Sequence, residues 1–173
     1  MPGPVTAVLE TERLQLREFE ARDASFILEL VNEPDWLRFI GDRGIHDLDA
    51  ARRYIAEGPQ AMQARLGFSL WCVCPKSGGA PLGMCGLIKR DALEHVDLGF
   101  AFLARHRGRG YAREAAAATL AHARGLGIGA VAAITDPANL RSIRLLEALG
   151  FRSAGQRQLT PGSPAVNLFL HGA

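Results

Sequence analysis

The stretch Arg107-Gly108-Arg109-Gly110-Tyr111-Ala112 carries the most information about the fold of this chain. It follows a short apolar run, residues 98–103, and precedes an alanine-rich segment with helical character. Two glycines at a strand-to-helix turn let the main chain approach a ligand closely, and the helix start offers unpaired N–H groups to an anion. Four arginines surround the turn: Arg105, Arg107, Arg109 and Arg113. The sequence therefore predicts that residues 107–113 bind a diphosphate group.

Two better-known phosphate motifs do not match this stretch. A Walker A loop needs G-x-x-x-x-G-K-[ST], and the two lysines of the chain, Lys76 and Lys89, stand in other contexts. A dinucleotide fingerprint, G-x-G-x-x-G, would need glycine in place of Arg113. The alternative to phosphate binding is a helix start in which the glycines only turn the chain.

The composition indicates one globular domain, residues 1–173. Of the 173 residues, 48% are hydrophobic, which is enough to bury a sizeable core. The 20 basic and 18 acidic residues give a formal charge of +2, which is too balanced for a protein that coats nucleic acid. We therefore expect a local basic patch and no nucleic-acid partner.

The start of the chain and its cysteines give expectations about location and metal binding. Residues 1–5 lack the basic and apolar segments of a secretion signal, and no apolar run approaches the length of a membrane span. We expect a cytoplasmic protein with no membrane partner. Cys72, Cys74 and Cys85 lie in strand-like segments without the His/Cys spacing of a zinc site. They are predicted to be buried free thiols, and no metal is expected.

Periodicity along the chain predicts an α/β protein with the element order β-α-α-β-β-β-α-β-α-β-β. The predicted strands are residues 14–19, 68–74, 82–88, 96–103, 130–135, 151–158 and 165–170. The predicted helices are residues 24–32, a second from residue 48 that Gly58-Pro59 interrupts before a further turn at 60–66, and then 111–124 and 140–149. Asp23, Asp47 and Asn139 are predicted N-caps, Pro34 is a predicted helix stop, and residues 34–45 are a predicted loop with exposed aromatic side chains.

This order, with R-G-x-G-Y-A between the fourth strand and the third helix, resembles the GNAT superfamily of acyl-CoA-dependent N-acetyltransferases. The superfamily signature [QR]-x-x-G-x-[GA] is matched by Arg107, Gly110 and Ala112. Residues 11–17, Thr-Glu-Arg-Leu-Gln-Leu-Arg, are similar to the T-x-R-L-x-L-R opening of the branch that acetylates ribosomal-protein N-termini. That branch also has N-x-x-S…E-x-x-G-F, which is similar to Asn139–Ser142 followed by Glu147–Phe151. The resemblance covers nearly the whole chain.

The resemblance implies a fold and a co-substrate. The fold is a mixed, mostly antiparallel central sheet of about seven strands with four helices, whose fourth and fifth strands splay apart. In this family the pantetheine arm of coenzyme A lies in that opening, and a backbone N–H of the fourth strand polarises the thioester carbonyl. No metal is implied, and acetyl-CoA is the co-substrate. The implied cofactor-binding residues are Phe102, Leu103, Ala104, Arg107, Gly108, Arg109, Gly110, Tyr111, Ala112, Arg113, Asn139 and Ser142.

The resemblance also implies direct attack of an amine on the thioester in a ternary complex. Asp97 stands where the branch often has an acidic residue before I-G-Y, so it is the candidate base, and a solvated strand-end carboxylate is the alternative. Glu94 and His95 are interpreted as surface residues. Ser142 matches the serine of the branch and is a candidate donor to the leaving sulfur, or an ordinary serine of a first helical turn. Leu146 stands where many members have tyrosine.

The acceptor cleft of the family lies between the segment that joins the first two helices and the last strand pair. Those segments are residues 34–48 and 160–167 here, so the candidate substrate residues are Trp36, Arg38 and Phe39. Their mixed character permits a peptide N-terminus, an aminoglycoside or a small amine. The predicted function is acetyl-CoA-dependent N-acetylation of a primary amine. A non-catalytic acyl-CoA-binding regulatory module is the alternative, and a homodimer is a partner to test for, because dimers are frequent in the family.

Overall fold

The computed structural model of the protein describes residues 7–172, and a mixed sheet of eight strands forms its centre. The prediction about residues 1–5 lies outside this range. Neighbouring strands follow the order β1-β2-β3-β4-β5-β6-β8-β7, and all pairs are antiparallel except β5 with β6. The strands are β1 Ala7–Glu10, β2 Leu14–Arg17, β3 Leu70–Pro75, β4 Gly83–Ile88, β5 Val96–Phe102, β6 Val131–Thr135, β7 Arg152–Arg157 and β8 Val166–His171.

Helices cover both faces of the sheet. The α-helices of the described range are α1 Ala24–Leu30, α2 Pro34–Phe39, α3 Leu48–Ile55, α4 Ala61–Leu66, α5 Tyr111–Gly125 and α6 Leu140–Ala148. One core joins helices α1 to α3 to the sheet through buried side chains such as Ile27, Trp36, Ile55, Cys72 and Leu103. A second core joins α5 and α6 to the opposite face through side chains such as Trp71, Leu98, Phe102, Leu120 and Leu146. The predicted mixed, mostly antiparallel fold is confirmed.

The predicted separation of two central strands is present between β5 and β6. These strands pair only at Val96 with Val131 and at Asp97 with Ala132. Strand β5 then continues to Phe102 and β6 to Thr135 without further pairing between them. An opening therefore runs through the centre of the sheet, and the turn at residues 107–112 follows β5 at its edge.

Two predictions about the elements need correction, and a third is confirmed. Strand β1 was not predicted, because four residues are too short for alternation to be recognised. Pro34 begins helix α2 instead of stopping α1, because proline suits the first position of a helix as well as the residue after one. The interruption predicted at Gly58-Pro59 is present as a wide helical turn of residues 56–60, and the further turns predicted after it form α4.

The local predictions about caps and thiols have mixed outcomes. Asp47 caps α3 by accepting the N–H of Ala50 at 2.7 Å, and Asn139 caps α6, as predicted. Asp23 precedes α1 but makes no side-chain cap bond to it, which corrects that prediction. The cysteines Cys72, Cys74 and Cys85 are all free and buried, as predicted. Burial raises the pKa of Cys85 to about 12, so its thiol stays neutral.

Asp23 instead forms a buried ion pair with Arg17. The two guanidinium nitrogens of Arg17 each donate to a carboxylate oxygen of Asp23 at 2.8 Å, and the N–H of Glu20 donates to the same carboxylate. Both side chains are almost fully buried. This pair gives the last arginine of the T-x-R-L-x-L-R motif a structural role, because it holds the segment that connects β2 to α1 in place.

We expect Arg17→Ala to lower the free energy of unfolding by about 3 kcal/mol, because it leaves the carboxylate of Asp23 buried without its partner. Urea denaturation measures this loss. Replacing both partners with apolar residues, Arg17→Met with Asp23→Leu, should recover most of the stability. Arg52→Ala is the control, because its ion pair with Asp49 lies on the surface and is worth less than about 1 kcal/mol. Equal stability of the Arg17→Ala and Arg52→Ala proteins would contradict this account.

Candidate active site at the opening between β5 and β6

The turn before α5 has the backbone conformation that its glycines allow. Gly108 has a φ of 78° and Gly110 a φ of 80°, in the left-handed region that other residues rarely adopt. Gly110 is the N-cap of α5 and provides no side-chain cap, so the start of this helix has no internal acceptor for its N–H groups.

The main-chain N–H groups of residues 108–113 make no hydrogen bond within the described part of the chain. The first bond of α5 runs from the N–H of Glu114 to the carbonyl of Gly110 at 3.1 Å. The N–H of Arg107 does not belong to this group, because it donates to the carbonyl of Ala104. The turn therefore presents a row of N–H donors at the positive end of a 15-residue helix, which suits a phosphate group.

Residues from the start of the chain hold this turn in place. The guanidinium of Arg13 donates to the carbonyl of Arg109 at 2.9 Å and to Glu114 at 2.8 Å, and it stacks on the ring of Tyr111. The hydroxyl of Thr11 donates to the other carboxylate oxygen of Glu114 at 2.5 Å. Partial burial acts against the charge of Glu114, but these hydrogen bonds hold its pKa below the ordinary value. The T-x-R part of the motif thus positions the turn.

Acidic side chains of the α1–α2 region face the turn, and no local pattern in the sequence indicates this. A carboxylate oxygen of Glu33 accepts the N–H of Ala104 at 3.0 Å. Asp35 accepts from the guanidinium of Arg107 at 2.5 Å and lies 3.8 Å from that of Arg141. Arg105 pairs with Glu29. Arg107 is therefore held across the opening and does not extend into solvent.

The main chain of residues 102–104, predicted to bind the pantetheine arm, is partly engaged already. The N–H of Leu103 donates to the carbonyl of Leu82 on the β4 side at 3.0 Å. Ala104 donates to Glu33, as described above. Because N–H groups of an extended strand alternate in direction, the N–H groups of Phe100 and Phe102 point away from β4 and toward the opening. The N–H groups of Leu103 and Ala104 thus have partners within the chain, and those of Phe100 and Phe102 face the opening. Binding of the pantetheine arm by the main chain of residues 102–104 stays a prediction.

Two cavities meet at the opening. The smaller, of about 120 Å³, reaches from the turn residues Arg107 and Ala112 to α2 and α6. The larger, of about 520 Å³, extends from the opening over the α1–α4 face of the sheet. Residues on the walls of both are Trp36, Phe39, Ile40, Phe100, Ala101, Asn139 and Ser142. One continuous cleft thus connects the row of N–H donors to a larger chamber.

Asp97 lies on the wall of the larger cavity and is only 1% exposed. Burial raises the pKa of its carboxyl above the ordinary value, and the charge of Arg90 opposes that rise. The Nε of Arg90 lies 3.3 Å from both carboxylate oxygens. Asp97 is therefore a buried group of the cleft and not a solvated strand-end carboxylate. Glu94, by contrast, has an 85% exposed side chain, as its interpretation as a surface residue requires.

Helix α6 brings Asn139 and Ser142 to both cavities. The carbonyl oxygen of the Asn139 side chain accepts the N–H of Ser142 at 3.3 Å, which orients the first turn of the helix toward the opening. The Ser142 hydroxyl makes no hydrogen bond within residues 7–172, so it can donate to a ligand. Leu146 is fully buried in the core and is not part of either cavity wall.

The three candidate substrate residues are placed differently from one another. Trp36 is only 7% exposed, contrary to the prediction of an exposed loop residue, and its indole N–H has no partner in the described chain. Phe39 lies on the walls of both cavities. Arg38 is exposed, stacks on the ring of Phe39 and belongs to neither cavity wall, and its contact with a substrate stays a prediction. Of the predicted segment 160–167, Val166 reaches the larger cavity.

Sequence reasoning missed several polar residues of the larger cavity, among them Arg43, Tyr54 and Arg90. Burial raises the pKa of the Tyr54 hydroxyl, and the nearby charges of Arg43 and Arg90 oppose that rise. None of the three belongs to a recognisable motif, since each comes from a different connecting segment or helix. Only the assembled fold reveals them.

Two other features of the described residues bear on the site. Between residues 7 and 172, no group of three or more histidine, cysteine, aspartate or glutamate side chains is arranged to hold a metal ion. None of the helices in that range has the length and apolar character needed to cross a bilayer.

The splayed sheet, the glycine turn and the adjoining cleft are the features expected of the GNAT fold, and the comparison with known families agrees. Residues 13–152 match the family described as acetyltransferase (GNAT) domain. The chain belongs to this family and is an acyltransferase of the N-acetyltransferase class. The resemblance stated from the sequence is therefore confirmed.

Individual relatives and structures show the same relationship. The protein YkkB of Bacillus subtilis is 34% identical over 146 residues, which cover 82% of this chain and 83% of YkkB. An acetyltransferase of Agrobacterium tumefaciens has a TM-score of 0.78 and 23% identity, with 99% of this chain and 96% of that chain covered. RimL, a ribosomal L7/L12 α-N-protein acetyltransferase in complex with coenzyme A, has a TM-score of 0.80 and 14% identity, with 96% and 97% covered. The two structures share the fold.

Proposed function

We propose that this protein transfers the acetyl group of acetyl-CoA to a primary amine bound in the larger cavity. The observation that carries the proposal is the row of unpartnered N–H groups at residues 108–113 of the described chain, placed at one end of the cleft. Acetyl-CoA supplies an acetyl group that is activated as a thioester. The related fold of RimL, which has been determined in complex with coenzyme A, supports this choice of co-substrate.

The turn and its surroundings fit a diphosphate. The N–H groups of residues 108–113 donate to phosphate oxygens, and the positive end of α5 adds its field. The guanidinium of Arg107 donates to the carboxylate of Asp35. It can donate to a phosphate oxygen instead, because carboxylate and phosphate oxygens accept the same kind of N–H bond. The co-substrate then extends along β5, where the N–H groups of Phe100 and Phe102 are directed into the opening.

The walls of the cleft provide groups that hold and move protons. A primary amine must lose a proton before or during its attack on the acetyl carbonyl carbon. Asp97 accepts this proton in our proposal, since it lies on the cavity wall and burial makes its carboxylate more basic than usual. The hydroxyl of Ser142 donates to the departing sulfur from the α6 side, or holds a water that does so.

The direct test is an assay of coenzyme A thiol release with acetyl-CoA and a panel of primary amines. The panel begins with peptides that carry N-terminal alanine or serine and continues with small amines. An acetylated product, identified by mass spectrometry, is the expected result. Tight binding of acetyl-CoA without product from any acceptor would instead favour a non-catalytic acyl-CoA-binding module.

Arg13→Ala is expected to raise the KM for acetyl-CoA about 10-fold with little change in kcat, because the turn loses charge-assisted hydrogen bonds that hold its shape. Steady-state kinetics at saturating amine separates the two constants. Arg22→Ala is the matched control, since Arg22 is a similarly exposed arginine paired with a carboxylate, Glu20, away from the turn. A fall in kcat without a change in KM would show that Arg13 does not act through the turn.

A further inference from the structure

Among the described residues, one arginine of the cleft lacks the carboxylate partner that the others have. The arginines that line the two cavities are Arg43, Arg90, Arg107 and Arg141. Asp97 pairs with Arg90, and Asp35 pairs with both Arg107 and Arg141. Arg43 makes no ion pair and no side-chain hydrogen bond with any residue of the described range. Its five N–H donors therefore remain open to a ligand of the larger cavity.

The main chain around Arg43 is held by bonds on both sides. Asp42 accepts the N–H of Gly44 at 2.8 Å and lies 3.0 Å from the imidazole Nε2 of His46. The side chain of Asn32 donates to the carbonyl of Ile45 at 2.8 Å, and the Ile45 side chain is buried. Because the loop is already held, binding of a ligand would reduce the conformational entropy of the Arg43 side chain and not that of the loop.

The surroundings of Arg43 favour an anion at this place. Tyr54 and Arg90 line the same cavity, and the charges of Arg43 and Arg90 both act on the Tyr54 hydroxyl. A guanidinium binds a carboxylate or phosphate through two parallel N–H bonds, and a phenol hydroxyl can donate a third. Most of the remaining wall is apolar, with side chains such as Phe39, Met62, Leu70, Met84, Leu159 and Val166.

The carboxylates of the larger cavity do not suit a polycation. Asp97 is already paired with Arg90, and Asp136 accepts the N–H of Ala138 at 2.8 Å. An aminoglycoside carries several ammonium groups, and each of them needs a carboxylate partner when it is removed from water. Since both carboxylates already have partners, we expect this wall to accommodate a single amine, next to Asp97.

We infer that the acceptor is a small primary amine with an apolar body and a second, anionic group, and that Arg43 binds this anionic group. The inference rests on the proposed function, because it names the substrate class of the same site. It assigns the two charged groups of the acceptor: the amine faces Asp97 and the opening, and the carboxylate, phosphate or phosphonate faces Arg43.

A pair of acceptors that differ only in the anionic group tests this inference. 2-Phenylethylamine and phenylalanine share an amine and an apolar body, and only phenylalanine has a carboxylate. We expect wild-type kcat/KM to favour phenylalanine by about 10-fold or more, the value of one charge-assisted hydrogen-bonded contact. Arg43→Gln should reduce this ratio about 10-fold. The phosphonate analogue of phenylalanine, as a third acceptor, separates carboxylate from phosphate preference.

Arg53→Gln is the matched control, because Arg53 is exposed on α3, forms no ion pair within residues 7–172 and lines neither cavity. It should leave the ratio unchanged. Calorimetry with the coenzyme A-loaded protein gives a second readout: phenylalanine should bind more tightly than phenylethylamine, and Arg43→Gln should remove the difference. Equal affinity and turnover of the two amines, or failure of both to bind, overturns the inference. Binding of phenylalanine through Arg43 without any acetyl transfer would count against the proposed function alone.

Discussion

Gly110→Val should reduce the affinity for acetyl-CoA by at least about 100-fold, measured by calorimetry. Gly110 has a φ of 80°, which a β-branched residue adopts only at a large cost in energy. A Cβ there would also come within 3.3 Å of the Arg13 guanidinium that holds the turn. The row of N–H donors then loses its common direction, and the diphosphate loses its site.

The control for this variant is Gly127→Val, at the other end of α5. Gly127 has nearly the same φ, 82°, and no atom lies within 4 Å of the place where its Cβ would stand. The two substitutions therefore impose similar backbone strain, and we expect a similar loss of thermal stability from both. Only Gly110→Val should weaken acetyl-CoA binding. If the Gly110→Val protein binds acetyl-CoA as the wild type does, the turn is not the site.

Asp97→Asn should lower kcat about 1,000-fold while the affinity for acetyl-CoA stays the same, because a positioned base typically contributes that much. The wild-type protein should also show a characteristic pH profile. Its kcat/KM rises with pH as Asp97 ionises, and burial places this rise above the pH expected for an ordinary aspartate. The Asp97→Asn substitution should remove this rise from the profile.

Two further variants separate catalysis from structure at this position. Glu94→Gln changes a nearby exposed carboxylate and should leave both kcat and the pH profile unchanged. Asp97→Glu keeps a carboxylate opposite Arg90 and should recover part of the activity that Asp97→Asn loses. Activity of Asp97→Asn close to that of the wild type would assign the proton transfer to another group or to water.

Local signals explain why the turn and the helix caps could be predicted from the sequence. Glycines 108 and 110 mark a backbone conformation that few other residues adopt, so their spacing predicts the turn directly. Asp47 and Asn139 act on N–H groups three residues away, which makes their caps visible in the sequence. A local signal also gave the wrong prediction of a helix stop at Pro34. Proline occurs both after the end of a helix and at its first position, and here it begins α2.

The parts of the site that escaped prediction depend on distant pairs. Arg13 and Glu114 are separated by 101 residues, and Ala104 and Glu33 by 71. No periodicity of the chain encodes such contacts, since they form only when the sheet brings both segments to one edge. The likeness of residues 11–17 to a family motif pointed to their importance, but their physical role became clear only from the ion pairs of Arg13 and Arg17.

The two-residue parallel junction between β5 and β6 has a mechanical consequence. The sheet amounts to two antiparallel wings that share a hinge at Val96–Asp97 and Val131–Ala132. Asp97 stands at this hinge, and Ser142 follows the second wing. One core of buried side chains, which includes Leu98 of β5 and Val131 and Ala133 of β6, spans both wings and fixes the angle between them. That angle sets the width of the opening beyond the hinge, so substitutions that disturb this core would change the distance between Asp97 and Ser142.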